Sequence, residues 1–399
     1  MSHSDLAEMS VMARKTYIDV EVPSTPGDSD EEDVIGTDEE TESSTSSESE
    51  VESDFDDCDE SARTPRSPRA VEKLLQDVGS LLDGNDIGNA LFGETALSIM
   101  GVPIIPHCVA FMIPDQQIDQ AAQVLREAQY PDCKDLDQFA ANPGNFPSQI
   151  RCHALKGPDP DALCNRPTPA HHFHTDGLYP KDSNDSRNQT RGVFLYRASQ
   201  ILDPAFPMPS ARPPLPRNDP CYMVTSDPQL YRPSFGAGDL MLNCLGRQSR
   251  KSYPVKMLRP ERYVENLAYL MLRDIGYSAC NGWETEFKCM VSFSQFFSPP
   301  HGTLATIDVS LSDIQEGPLR DWIRLHRERD RNEAAIFVQF AALHRQAKKS
   351  GLLGEPLMTP GEAMSVKPEH IENCLKNMED GLFPFPHRIN ESGWTCQLM

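Results

Sequence analysis

The stretch from Phe92 to Leu125, FGETALSIMGVPIIPHCVAFMIPDQQIDQAAQVL, decides the fold. Leu91, Ala96, Leu97 and Met100 recur at helical spacing, and Gly101-Val102-Pro103 stops that helix: proline removes an N–H and pushes the residue before it out of the helical region. CVAFMI, Cys108 to Ile113, is then a short, continuously apolar run bounded by prolines. At that length it reads as a buried strand, not a helix. Pro114-Asp115 opens a second helix with Asp115 as N-cap, and Ile118, Ala121, Ala122, Leu125 and Ala128 form its buried face. The plan is a glycine-led helix, a turn, a buried strand and another helix.

Upstream, order should begin near Ala70. In AVEKLLQDVGSLLD, the residues Val71, Leu74, Leu75, Val78, Leu81 and Leu82 make one apolar stripe, and DGND breaks it. Downstream, TPAHHFHTD and GVFLYRAS are strand-like, and the polar GLYPKDSNDSRNQTR between them reads as a long hairpin loop. Residues 203–220 contain seven prolines and must be a loop or linker. RPERYVENLAYLMLRDIG is an amphipathic helix with Tyr263, Val264, Leu267, Leu270, Met271 and Ile275 on one side. The chain beyond Ile275 reads as mainly helical.

Charge is concentrated at one end. Residues 1–70 hold 21 acidic and 5 basic side chains, −16 of the chain's net −23. Direct binding to bare nucleic acid, which needs a basic patch, is not expected. Residues 20–69 offer too few apolar side chains to offset the entropy of ordering, so 1–69 is expected to be a disordered acidic tail. Ser29, Thr37, Thr45, Ser47, Ser49 and Ser53 each have an acid three residues on, suited to an acid-directed kinase, and TPRSP adds Thr64 and Ser67. The plainer reading is a solvating tail to which phosphorylation only adds charge.

The first residues lack a signal-peptide core, and no run approaches the ~18 apolar residues of a spanning helix. Eleven scattered cysteines without a C-x-x-C pair suit reduced, packing thiols. These features imply a cytoplasmic or nuclear location, and the sequons at Asn184, Asn188 and Asn390 would then be idle.

The phrases GETALSIMGVP, VAFMIPDQQIDQAAQVL, the H-F-H strand, LYRASQIL and the PERYVENL helix together resemble the nucleotidyltransferase-like superfamily. Within it they are similar to the abortive-infection, antitoxin-type branch and to a group of filamentous-fungal proteins. The resemblance covers roughly residues 85–275. It implies an α/β (α+β) fold, a small mixed sheet flanked by helices, with a mainly helical C-terminal half. The implied organisation is a core over 70–202, a Pro-rich loop over 203–220, a continuation over 221–300 with a helix at 260–275, and a helical region over 301–399.

The chemistry such a fold performs has fixed requirements. A glycine at the helix start offers backbone N–H groups to nucleotide phosphates. Two carboxylates alternating on one strand face hold Mg²⁺, and a third on a neighbouring strand helps with a second ion. Gly93-Glu94 stands at the family's Gly-Ser or Gly-Gly position, where Glu94 would repel a phosphate. Where Asp-x-Asp belongs, the strand reads His107-Cys108-Val109-Ala110, and VFLYRAS has no acid either. The resemblance therefore implies the fold without its transfer activity, leaving a nucleotide- or protein-binding domain engaged through the pocket, the tail or the helical half. The competing reading is an active enzyme in which Glu94, Asp115 and Asp176 rebuild a Mg²⁺ site.

Other constellations carry less. In an extended strand His172, His174 and Asp176 share a face. His174-Thr175-Asp176 has the H-x-D form of an iron facial triad that a distant His301 would complete; alternatively the imidazoles bond a neighbouring loop. A Cys108–His107 nucleophile is disfavoured because Cys108 opens an apolar strand. GAGD, Gly236 to Asp239, lacks the rest of a dinucleotide fingerprint, and RPPLPR, Arg212 to Arg217, reads as loop before it reads as a polyproline ligand. The chain ends Cys396-Gln397-Leu398-Met399, a C-a-a-X box whose lipidation at Cys396 would give a membrane-tethered adaptor. One lipid chain alone would hold it there only marginally.

Overall fold

A computed structural model describes residues 70–382, apart from 103, 105, 107, 135–167, 176, 180–191, 213–214, 217–218, 231–243, 297–310, 312–313, 329–332, 359–366 and 368. The tail with its eight Ser/Thr candidates, Cys396, the three sequon asparagines, His107, Asp176, His301 and GAGD lie outside the described residues.

In chain order come α1 (Ala70–Gly84), β1 (Ala90–Phe92), α2 (Gly93–Ile99) and β2 (Val109–Ile113). A 3-10 turn (Asp115–Gln117) leads into α3 (Ile118–Glu127), followed by β3 (His171–His174), β4 (Gly192–Arg197) and the short α4 (Ala198–Ile201). The strands β5 (Tyr222–Val224) and β6 (Lys256–Leu258) precede α5 (Pro260–Arg273), α6 (Ser278–Phe296), α7 (Pro318–Glu328), α8 (Glu333–Lys349) and α9 (His370–Glu379). The class is α/β: one mixed six-stranded sheet in the order β3-β4-β2-β1-β6-β5, with helices.

Two local readings need correcting. Leu91 lies in β1, not in a helix: Ala90–Phe92 pairs antiparallel with β2, and only Gly93, at φ +69°, turns the chain into α2. Glycine takes that left-handed conformation without the steric penalty a side chain would add. Asp115 does not cap its own helix. Its carboxylate accepts hydrogen bonds from the Ser199 amide at 3.0 Å and the Ser199 hydroxyl at 2.5 Å, so it caps α4 across the sheet end.

Register fixes the two faces of the sheet. Phe92 pairs with Ala110, Ala110 with Phe194, and Phe194 with His172, a row of four side chains crossing four strands on one face. The opposite face carries Val109, Phe111, Val193, Leu195 and Phe173, all fully buried. There α3 lies against β3, with Arg126 over the Phe173 ring and Asp119 Oδ1 3.1 Å from His171 Nε2. On the first face, Tyr263 of α5 stacks on Phe92 at 5.3 Å between ring centroids, and Trp283 of α6 meets it edge-on at 6.1 Å. This explains why α5 is buried on every side, including Asn266 and Arg273, although its sequence looks amphipathic. One continuous apolar core runs from Val71 through the sheet to Met378 of α9.

Two buried ion pairs fasten this core. Lys256 of β6 is fully buried, and its ammonium bonds Asp83 and the Ala211 carbonyl. Asp83 also accepts from Asn89 Nδ2 at 2.6 Å and the Tyr253 hydroxyl at 2.7 Å. Burial pulls the Lys256 pKa down, opposed by Asp83. At the far end of α5, Arg273 makes a two-pronged contact with Asp274, Nε to Oδ1 and Nη2 to Oδ2, both 2.7 Å.

Candidate functional site

The row Phe92–Ala110–Phe194–His172 has a group of candidate residues at each end. At its first end, Gly93 is the residue whose amide the resemblance would aim at a phosphate. That amide already donates to the Tyr263 hydroxyl at 3.1 Å, and the hydroxyl donates to Glu286 Oε2 at 2.7 Å. Burial, reinforced by Glu286, raises the Tyr263 pKa well above its ordinary value, so the ring stays a neutral plug. Beside it, Ala110 is buried and apolar, and the Cys108 carbonyl takes a 2.7 Å bond from the Thr95 hydroxyl.

Of the three acids, Asp176 lies outside the described residues. Glu94 is buried at the start of α2, one residue past Gly93 and level with the Phe92–Ala110 pair. Asp115 follows the C-terminal end of β2, two residues beyond Ile113. Asp115 is engaged by Ser199 beyond the C-terminal end of β2, whereas Phe92, which precedes Gly93 and Glu94, pairs with Ala110 near the start of that strand.

At the row's other end, His172 and His174 of β3 do share a face, their ring centroids 4.9 Å apart, with His172 also edge-on to Phe194 at 4.5 Å. His172 is buried and His174 half-buried. Space for the His172 ring comes from Gly192: a Cβ there would stand 2.5 Å from His172 Nε2 and 2.6 Å from the Phe173 carbonyl. The structure adds a residue that sequence reasoning missed. Cys133 lies in Pro131–Cys133, which runs along the outer edge of β3. Asp132 forms an antiparallel bridge with Phe173, His174 N donates to Pro131 O at 2.8 Å, and Cys133 N donates to His172 O at 2.9 Å. Asp132 therefore faces the same way as Phe173, where Arg126 binds it at 2.7 Å, and Cys133 faces the same way as His172.

The end of α3 delivers that segment. Gln129 adopts φ +65°, the Gln129 amide donates to Arg126 O at 2.9 Å and the Tyr130 amide to Leu125 O at 3.0 Å. This is a Schellman reversal with glutamine where glycine is usual. It turns the chain from helix into edge strand within three residues. The ligand atoms of Cys133, His172 and His174 all lie within 4.8 Å of one another, the one such trio of His, Cys, Asp or Glu among the described residues. Only the H-x-H half was visible in the sequence. Cys133 had no signal, because a bridge to a distant strand leaves none.

Among the described residues no helix is long and apolar enough to cross a membrane. No protein-family model, curated protein or solved structure matches this chain.

Proposed function

We propose that the chain carries a nucleotidyltransferase-like domain that has lost metal-dependent transfer and acts by binding, with a protein as its partner. The observation that supports this is the state of the first end of the row. Cys108 and Ala110 stand where two Mg²⁺-holding acids belong, and the Gly93 amide is bonded to Tyr263. Neither sulfur nor a methyl group offers the hard oxygen that Mg²⁺ requires. The acidic tail over 1–69 or the helical region over 301–399 would make the contact with the partner.

The test is to incubate the full chain with each nucleoside triphosphate and Mg²⁺ or Mn²⁺, monitoring pyrophosphate release and binding heat. Neither should be detected. Metal-dependent turnover abolished by Asp115→Ala would overturn the reading and restore the enzyme. Binding heat without turnover would instead make nucleotide the ligand.

A further inference from the structure

Two strands away from Ala110, on the same face of the sheet, the chain assembles a cluster of sulfur and imidazole ligands. At ~4.8 Å per strand, the row places His172 about 10 Å from Ala110, so the two sites are distinct in space as well as in donor type. We infer that Cys133, His172 and His174 bind a divalent transition ion of the zinc class, clasping the Pro131–Cys133 segment to the edge of the sheet.

Four observations converge. The donors are one sulfur and two imidazoles, which suit zinc, cobalt, nickel or copper and not magnesium or calcium. Around a tetrahedral ion with bonds of ~2.0–2.3 Å, neighbouring ligand atoms stand about 3.3–3.6 Å apart. Starting within 4.8 Å of one another, the three need close by only about 1 Å. Backbone pairing has already set the facing of each residue: the Asp132–Phe173 bridge aims Cys133 and His172 the same way, and strand alternation adds His174. Finally, Cys133 and His172 are buried at 5% and 1% exposure, which would shield two of the three metal bonds, while His174 is half-buried. A fourth ligand, water or another exogenous donor, would enter from the His174 side.

On binding, the Cys133 thiol gives its proton to solvent, each imidazole coordinates through a ring nitrogen without a proton, and the centre carries a net +1. No redox change is involved. The site is independent of the transfer question: an inactive transferase could bind the ion, and an active one could lack it.

The test uses the full chain, stripped with a chelator and titrated with Co²⁺ and then Zn²⁺. Expected are one tightly bound equivalent, a thiolate-to-cobalt charge-transfer band in the near ultraviolet, intense tetrahedral visible bands, and a Zn²⁺-dependent rise in the thermal midpoint. Cys133→Ser should remove the charge-transfer band, and both it and His174→Asn should weaken uptake by more than the ~100-fold that loss of a supporting hydrogen bond can cost. Cys221→Ser, a half-buried thiol on another strand entry, should change nothing. No stoichiometric uptake, or a charge-transfer band that survives Cys133→Ser, would overturn the proposal. The unmutated chain's spectrum decides the matter even if a variant folds poorly.

Discussion

The Tyr263 hydroxyl accepts the Gly93 amide proton at 3.1 Å, across 170 residues of sequence, and so closes the helix start to any other acceptor. Tyr263→Phe deletes that acceptor and also the donor to Glu286, leaving a buried N–H without its partner. Such a loss costs about 1–3 kcal/mol. We expect a drop of that size in urea-unfolding free energy and no gain of nucleotide binding by titration calorimetry, because the ring still fills the space beside Phe92.

Asp274 holds three separate parts of the chain. Besides Arg273 it accepts Trp283 Nε1 at 2.8 Å on Oδ2 and the Leu357 amide at 2.8 Å on Oδ1. Arg273 in turn donates to the Gln200 carbonyl at 2.9 Å. Asp274→Ala strands a guanidinium with 3% exposure and should cost about 3–5 kcal/mol, read from the midpoint of chemical denaturation. A change below about 1 kcal/mol would mean that water reaches the pair.

His344 of α8 should make stability fall in mild acid. Its Nδ1–H donates to Leu272 O at 2.8 Å, and Nε2 has no hydrogen-bond partner among the described residues. Burial, aided by Lys348 and Arg345 and opposed by the Leu272 bond and Glu372, holds its pKa below the ordinary 6.5. Below about pH 6.5 the unfolded chain therefore gains a proton that the folded chain refuses, so unfolding is favoured as pH falls towards the depressed value. Asp203 and Glu265, whose pKa values burial raises, work with the opposite sign at lower pH. The comparison is thus parent against His344→Gln at each pH: the variant's urea midpoint should decline less between about pH 7 and 5.5.

Gln129 sits in a left-handed conformation that disfavours a side chain. Gln129→Gly should remove that strain, worth about 1 kcal/mol, and raise the thermal midpoint by a few degrees, which scanning calorimetry would resolve. Gln129→Val should act in reverse.

Sequence patterning located elements long enough to display a period. The stripe from Val71 to Leu82 became α1, the proline-bounded apolar run became β2, and the two strand-like runs around the polar loop became the antiparallel pair β3–β4. Three-residue strands have no period to show, so β1 merged with the helix after it, and β5 and β6 gave no distinct signal. The fold class was thus legible, but the sheet order was not, since β1 lies between strands from distant parts of the chain. At the candidate sites, the burial of Cys108 and Ala110 could be read in their apolar run. The Tyr263 plug and the approach of Cys133 to His172 could not, because each depends on contacts between remote segments. The facing of Asp115 failed for the same reason: its partner, Ser199, is 84 residues away.

The run from Pro131 to Cys133 also bears on solubility. β3 ends the sheet on that side, and an uncovered terminal strand is a template on which foreign chains can stack. Two backbone hydrogen bonds keep that template occupied by the protein's own chain. Loosening them would bare the backbone N–H and C=O groups along β3, so the small turn at Gln129, which delivers the covering segment, guards an edge on which another chain could pair.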